Sequence, residues 1–255
     1  MAPTPDTPAG LLAAALSEDP ARPFLTYYDD TTAERTELSV ATLDNWVAKT
    51  ANLLVDGAGL APGDRAVALL PAHWQTAAIL LGCWAAGVAT VRASPQDEPS
   101  AVDVVFAAVD RIDEARRWPA DERYALALAP LAAPLPDVPQ GFSDYVVEVR
   151  QFGDRFVPTE PIDPDDDALV GSGLPGGPLS HRALVTAATK RARELGLSQG
   201  DRLLVVDSSE SPARPLDWLL VPLAIGGSVV LCRNTDPEKV RERATQERVT
   251  ASVGA

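Results

Sequence analysis

The stretch Leu169–Arg182 holds the residues whose types and spacing could do chemistry. It carries Gly171, Gly173, Gly176 and Gly177, a hydroxyl at Ser172, and then Ser180 and His181. Glycine lets backbone N–H groups approach an anion, and a helix N-terminus adds partial positive charge. Ala168–Val170 reads as a buried strand, and Ser180 stands at the N-cap of the helical pattern Ala183–Leu195. Strand, glycine loop and helix start together predict a phosphate or nucleotide cradle. A plain structural turn is the competing reading, and charge favours it. No Lys or Arg lies between Arg155 and Arg182, whereas magnesium and a triphosphate call for a neutralising cation. The expectation is weak phosphate binding or none.

A second, weaker candidate is the turn holding Asp207, Ser208 and Glu210, after the strand pattern Arg202–Val206. Open parallel sheets bind ligands beyond the carboxyl ends of their strands. Asp207 or Glu210 could meet a ribose or a metal; a solvated loop is the alternative. His181 has no Gly-x-Ser-x-Gly elbow to serve, so it is not assigned as a base. His73 opens an apolar helix pattern and reads as a core or capping residue. Cys83 and Cys232 lie far from each other and from both histidines, so no zinc site is expected. No catalytic residue and no metal ligand are assigned.

These candidates need elements to hold them, and the composition supplies a core. The chain has 255 residues, 46% of them hydrophobic, enough to exclude bulk disorder. Its 22 basic and 36 acidic residues give a net charge of −14. Such a surface repels nucleic acid and anionic membranes. Two cysteines in apolar runs fit buried thiols in a cytoplasmic protein better than a disulfide framework. The N-terminal residues carry no early positive charge, so no secretory signal is expected. The uncharged stretch Ala77–Val91 falls short of the roughly 20 residues that span a bilayer.

Periodicity fills in the elements. Phe24–Tyr28 and Arg35–Val40 predict a hairpin, and Thr42–Gly57 an amphipathic helix. Strand Arg65–Leu70, helix His73–Gly87 and strand Val88–Val91 form a βαβ unit, which implies parallel pairing. Val102–Ala107 and Tyr124–Leu128 read as strands around a helical segment Asp110–Trp118. Tyr145–Phe152 is ambiguous. Pro158–Asp167 holds five acids and reads as a linker. Beyond it, strand and helix alternate through Ser180–Leu195, Arg202–Val206, Leu216–Ile225, Ser228–Cys232, a helix capped by Asp236, and Val249–Val253. The expectation is an α/β protein, Rossmann- or flavodoxin-like, with open and mostly parallel sheets flanked by helices. Its domains divide at the linker, into residues 1–160 and 161–255. Trp46, Trp74 and Trp84 fall on apolar helix faces and are expected in the core.

Three stretches taken in order resemble adenylate-forming enzymes: acyl-CoA synthetases, luciferases and peptide-synthetase adenylation domains. The first includes Pro62-Gly63-Asp64-Arg65-Ala66-Val67-Ala68 and the helix Ala78–Gly87. The second is the glycine loop ending in Leu179-Ser180-His181-Arg182. The third includes Gly200-Asp201-Arg202, Gly226-Gly227-Ser228 and Asp236-Pro237-Glu238. The resemblance is to the N-terminal part of that superfamily, and in length to short AMP-binding-enzyme-like proteins of actinobacteria. It implies AMP or ATP as candidate ligands at Gly171–His181. The departures are in the chemistry. The family's loop reads Ser-Gly-Ser/Thr-Thr-Gly-x-Pro-Lys-Gly, and here it is shortened and lacks the lysine. Where the family has Pro-Leu-Phe-His, this chain has Asp207–Ser211. The sequence ends at Ala255, ahead of the family's adenine motifs and C-terminal lid.

The functional expectation is a degenerate AMP-binding-enzyme-like protein, without complete adenylation activity, that binds a small acyl or nucleotide ligand or a partner. The alternative is a reduced ATP-dependent carboxylate-adenylating ligase. A third reading is a filled cleft with exposed sheet edges that pair with another subunit or protein.

Overall fold

A computed structural model describes residues 5–93, 98–172, 174, 176–208 and 211–253. Gly173, Ser209 and Glu210 of the candidate sites lie outside the described residues. The strands in chain order are β1 (Pro23–Asp29), β2 (Glu34–Ser39), β3 (Arg65–Leu69), β4 (Ala89–Val91), β5 (Val102–Ala108), β6 (Ala120–Leu126), β7 (Ser143–Asp144), β8 (Asp167–Val170), β9 (Leu179–Ser180), β10 (Arg202–Asp207), β11 (Ser228–Arg233) and β12 (Ala251–Val253). The α-helices are α1 (Pro8–Glu18), α2 (Val40–Asn52), α3 (Trp74–Ala85), α4 (Ile112–Ala115), α5 (Tyr145–Val149), α6 (His181–Glu194), α7 (Val221–Ala224) and α8 (Pro237–Gln246).

These elements form two compact units that interleave along the chain. The first gathers residues 1–44, 71–77 and 184–255; the second gathers 45–70 and 78–183. Each is built on one sheet. In the first unit the order is β12-β10-β11-β1-β2. All neighbours are parallel except the hairpin β1–β2. In the second unit the order is β7-β6-β5-β3-β4-β8-β9, parallel throughout except β8–β9. The α/β class with open, mostly parallel sheets is therefore present twice.

Burial explains the near-continuous apolar runs of the central strands. Parallel strands covered on both faces have no polar side to show. Val229–Cys232 in β11 and Val104–Ala107 in β5 are fully buried, as are Leu203 and Leu204 in β10. Trp74 and Trp84 are buried as expected. Trp46 is a correction: it is only half-buried, because it lies beside the α2 face that carries Leu43 and Val47.

The ambiguous stretch Tyr145–Phe152 resolves as α5. The Asp144 carboxylate accepts from the N–H groups of Val146 and Val147 at 2.8 and 3.3 Å, which caps the helix start. The Tyr145 hydroxyl pairs with Thr50 Oγ1 at 2.7 Å. The expected helix Leu216–Ile225 opens with a wide π-turn, Leu216–Leu220. Pro222 lacks an N–H and cannot make the ordinary i to i−4 bond there. Asp236 caps α8 as its sequence predicts, accepting from Glu238 N at 3.0 Å with Pro237 in the first turn.

Candidate functional site

The glycine loop lies entirely in the second unit. β8 enters it, and β9 returns from it antiparallel, with Leu169 opposite Leu179 and Asp167 opposite Ser180. The connection from β8 to β9 therefore turns at the carboxyl end of β8, with residues 171, 172, 174 and 176–178 of it described. Three glycines hold its shape with φ of +130° at Gly171, +89° at Gly176 and +90° at Gly177, all in the region that side chains rarely adopt. Gly171 also sits against the neighbouring strand. A Cβ there would come within 2.8 Å of the Arg92 carbonyl oxygen and 3.3 Å of Arg92 Cβ.

This topology corrects one part of the expected cradle. Ser180 and His181 do not join the glycines. Because β9 runs back down β8, α6 begins at the amino end of β8. Three residue steps at about 3.3 Å each put Asp167, the partner of Ser180, about 10 Å from Val170 at the loop. Ser180 does cap the helix, with its Oγ accepting from Ala183 N at 3.2 Å. The other free N–H groups of the helix start are spent on the acidic segment. His181 N donates to the Asp166 carbonyl at 3.1 Å, and Arg182 N to the Pro164 carbonyl at 2.8 Å. Arg182 Nε also pairs with Asp165 at 2.8 Å. The positive end of the α6 dipole faces carboxylates, and an anion arriving at Gly171–Gly177 gains nothing from it.

His181 is fully buried, and neither ring nitrogen has a hydrogen-bond partner. Burial lowers its pKa, against the opposing pull of Asp166. A neutral, enclosed imidazole at the foot of β8 is a packing residue. His73, in the first unit, is fully buried as well. Its Nδ1 accepts from Gln75 N at 3.1 Å, and its ring meets Tyr27 edge-on at 4.5 Å. Burial, reinforced by the Arg233 charge, pushes its pKa down to about 3. The core-and-cap reading of His73 matches this geometry.

A cleft of about 390 Å³ in the second unit is walled by Arg65, Ala89, Asp165, Asp166 and Asp167, among others. It is lined at the amino ends of β3 and β4 and by both Asp167 and Val170 of β8, and its three aspartates repel phosphate. The carboxyl end of β8 also meets the neighbouring strand. There Arg92, which follows β4, donates its N–H to the Val170 carbonyl at 2.8 Å, and its side chain is exposed. The pairing of β4 with β8 brings the backbone of Arg92 beside Gly171 at the root of the loop. The sequence signal for this approach was the predicted βαβ unit, which places the end of β4 among the carboxyl ends of its neighbours.

Asp207 and Ser208 belong to the first unit, at the carboxyl end of β10. Asp207 is buried, accepts from Ala213 N at 2.8 Å and lies 3.7 Å from Arg233 Nε. Burial raises its pKa, against the lowering effects of Ala213 N–H and Arg233. Ser208 Oγ accepts from Ser211 N at 3.0 Å. Both described residues are occupied in closing their own turn. Among the described residues, no group of three or more His, Cys, Asp or Glu is placed to hold a metal ion. Cys83 and Cys232 are free and buried, and burial pushes the Cys83 thiol up to about 12. No helix among the described residues is long and apolar enough to cross a membrane.

Comparison with known proteins reads the same parts. Residues 12–110 match the family model of the AMP-binding enzyme. A TIGR03089 family protein of Mycobacterium tuberculosis is 40% identical over 253 residues, covering 97% of this chain and 98% of its own length. The chain belongs to the AMP-binding, adenylate-forming superfamily. Within this superfamily it is also 30% identical to a sulfoacetate–CoA ligase of Cupriavidus necator, over 89% of the chain and 45% of the ligase. The acyl-CoA synthetase of Brucella canis has the same fold, with a TM-score of 0.76 at 18% identity, over 96% of this chain and 46% of the synthetase. The superfamily member described here thus spans nearly all of the mycobacterial relative and about half of each ligase. It corresponds to the N-terminal part of the adenylate-forming architecture.

Proposed function

We propose that this chain is a ligand-binding member of the superfamily that does not complete carboxylate adenylation. One observation carries the reading. The glycine hairpin keeps its backbone shape at Gly171, Gly176 and Gly177, while residues 171–180 hold no Lys or Arg. The nearest helix start, at α6, is taken up by Pro164–Asp166. A magnesium–triphosphate complex needs dense charge neutralisation during phosphoryl chemistry, and residues 171–180 supply no side-chain cation for it. Such a site suits a small anionic ligand of the acyl or nucleotide class. ATP–pyrophosphate exchange with a panel of carboxylic acids tests the proposal. No exchange above the protein-free background is expected; robust exchange with any acid would overturn it.

A second reading, a reduced adenylating ligase, is favoured by the 30% identity to the sulfoacetate–CoA ligase over most of this chain. Calorimetric titration with AMP and with MgATP separates the two. The ligase reading needs MgATP to bind, and needs that binding to vanish on Gly176→Asp, which puts a carboxylate in the hairpin.

A further inference from the structure

We infer that α8 is a strap held across one face of the first unit's sheet by ion pairs, and that it opens as a body while β11 and β12, at its two ends, stay paired. The inference is independent of what the glycine hairpin binds.

The way α8 is held sets it apart. The long helices elsewhere bury apolar side chains: Leu11, Leu12 and Ala15 in α1, and Leu184, Val185 and Ala188 in α6. In α8 the one buried residue is Arg243; Val240 and Ala244, on the same face, are only partly covered. Charge supplies the attachment instead. Toward the start of the helix, the Asp30 carboxylate pairs with Arg243, lies 3.5 Å from Lys239 Nζ and accepts from Asp236 N at 2.9 Å. The Arg243 guanidinium also stands over the Tyr28 ring, 4.5 Å from its centroid. At the other end, the Glu247 carboxylate accepts from the Tyr28 hydroxyl at 2.5 Å, from Arg35 at 3.0 Å and from Arg202 at 2.6 Å. These donors stand on β1, β2 and β10, so one carboxylate ties the helix end to three strands.

The backbone marks the hinges. Asn234, ahead of the helix, and Arg248, behind it, are non-glycine residues with φ of +48° and +52°. A side chain adopts that left-handed conformation at a cost, and the cost is released when the segment between them lifts. β11 ends at Arg233 and β12 begins at Ala251. Both strands therefore lie outside the hinges and keep their pairing with β10.

An ionic hold and an apolar hold differ in what loosens them. Salt screens charge pairs and leaves apolar burial intact. Removing Glu247 takes from Arg202, itself mostly covered, its only carboxylate partner. Local opening exposes little surface, so urea below the unfolding midpoint scarcely changes it, whereas unfolding follows the full urea slope.

The chain carries a reporter for this opening. Cys232 is buried on the face that α8 covers: it pairs in register with Tyr28, and the Arg243 and Thr235 side chains lie against its thiol. Cys83, buried in α3, belongs to the second unit and serves as the control. The test is alkylation of the whole chain by N-ethylmaleimide, with each cysteine followed separately by peptide mass spectrometry. Cys232 is expected to react faster than Cys83, at a rate that ignores sub-denaturing urea and rises between about 0.05 M and about 1 M sodium chloride. Glu247→Gln should raise the Cys232 rate about 10- to 100-fold, the worth of hydrogen bonds to a charged group. Val240→Ala, which trims an apolar contact of the same helix, should raise it less. The strap is overturned if the Cys232 rate is as slow as that of Cys83 and climbs with urea as steeply, because unfolding alone then uncovers it. The ionic hold is overturned if Val240→Ala raises the rate more than Glu247→Gln does. Should Glu247→Gln fail to fold, salt decides: an unchanged Cys232 rate in the wild type at about 1 M sodium chloride overturns the ionic hold.

Discussion

Replacing Gly171 with alanine is expected to damage the second unit more than the same change at Gly177. The two glycines share a positive φ, +130° and +90°. They differ in what a new methyl group meets. At Gly177 nothing among the described residues lies within 4 Å, whereas at Gly171 the Cβ would press to 2.8 Å from the Arg92 carbonyl and 3.2 Å from its nitrogen. Left-handed backbone costs a side chain about 1–2 kcal/mol. Stiffening of the unfolded chain returns about 0.4–1 kcal/mol of that. Gly177→Ala should therefore cost about 1 kcal/mol or less. Gly171→Ala adds an overpacking cost of about 1–3 kcal/mol, and the atoms in the way are backbone atoms of a paired strand. Its total should be about 2–4 kcal/mol. Thermal unfolding followed by circular dichroism reads the difference, with about 2–4 °C of Tm per kcal/mol at this chain length. Equal shifts for the two variants would refute the close approach of Arg92 to Gly171, and with it the register of β4 against β8.

Other expectations follow from the same geometry. Ser180→Ala should cost about 1 kcal/mol of stability through loss of the α6 cap; in AMP titration it should leave affinity unchanged, because Ser180 lies at the foot of β8 and not at the hairpin. Gly227→Ala should prevent recovery of folded protein in a solubility assay, since its Cβ would fall 2.2 Å from the Asp201 carbonyl where β10 and β11 begin. The buried His73 predicts a pH dependence. Its folded pKa of about 3 lies below the unfolded value of about 6.5. The unfolded state therefore binds the extra proton, and stability is full above pH 6.5 and falls as pH drops toward 3. The loss at pH 5 should be about 2 kcal/mol from this residue. Urea denaturation at pH 7.5 and pH 5 should show it, and His73→Leu should reduce the difference; an unchanged pH slope in that variant would count against the assignment.

Much of this architecture was legible from local pattern. The β1–β2 hairpin, the βαβ unit through α3 and the Asp236-Pro237 start of α8 each carry their own turn or cap chemistry within a few residues. The position of the α6 start was not legible. It depends on β9, a strand of two residues, Leu179–Ser180, whose sequence also suits a loop end and an N-cap. Two residues give no periodicity, yet they reverse the chain and carry the helix start to the opposite end of β8. The approach of Arg92 to Gly171 was not legible for a related reason. It is a parallel pairing across 78 intervening positions, and no spacing along the chain encodes it. Asp207 was legible as a residue at a strand's carboxyl end, but its use in holding Ala213 depends on how the following turn folds back.

The interleaving of the two units sets an order of events during synthesis. The second unit is drawn from residues 45–70 and 78–183, one nearly continuous stretch. Its seven strands can all pair once Ser180 has left the ribosome. The first unit cannot close so early. β1 pairs with β11, Leu25 against Val229, across 204 positions. Until that partner arrives, the β1 side of the hairpin β1–β2 is unpaired and has no sheet to join, and isolated hairpins are only marginally stable. The chain thus holds an apolar N-terminal segment in waiting while its middle folds. Loop closure of that span is slow in the way that non-local pairing always is. Over that interval the edge of β1 is an unpaired strand edge of the kind that invites mispairing.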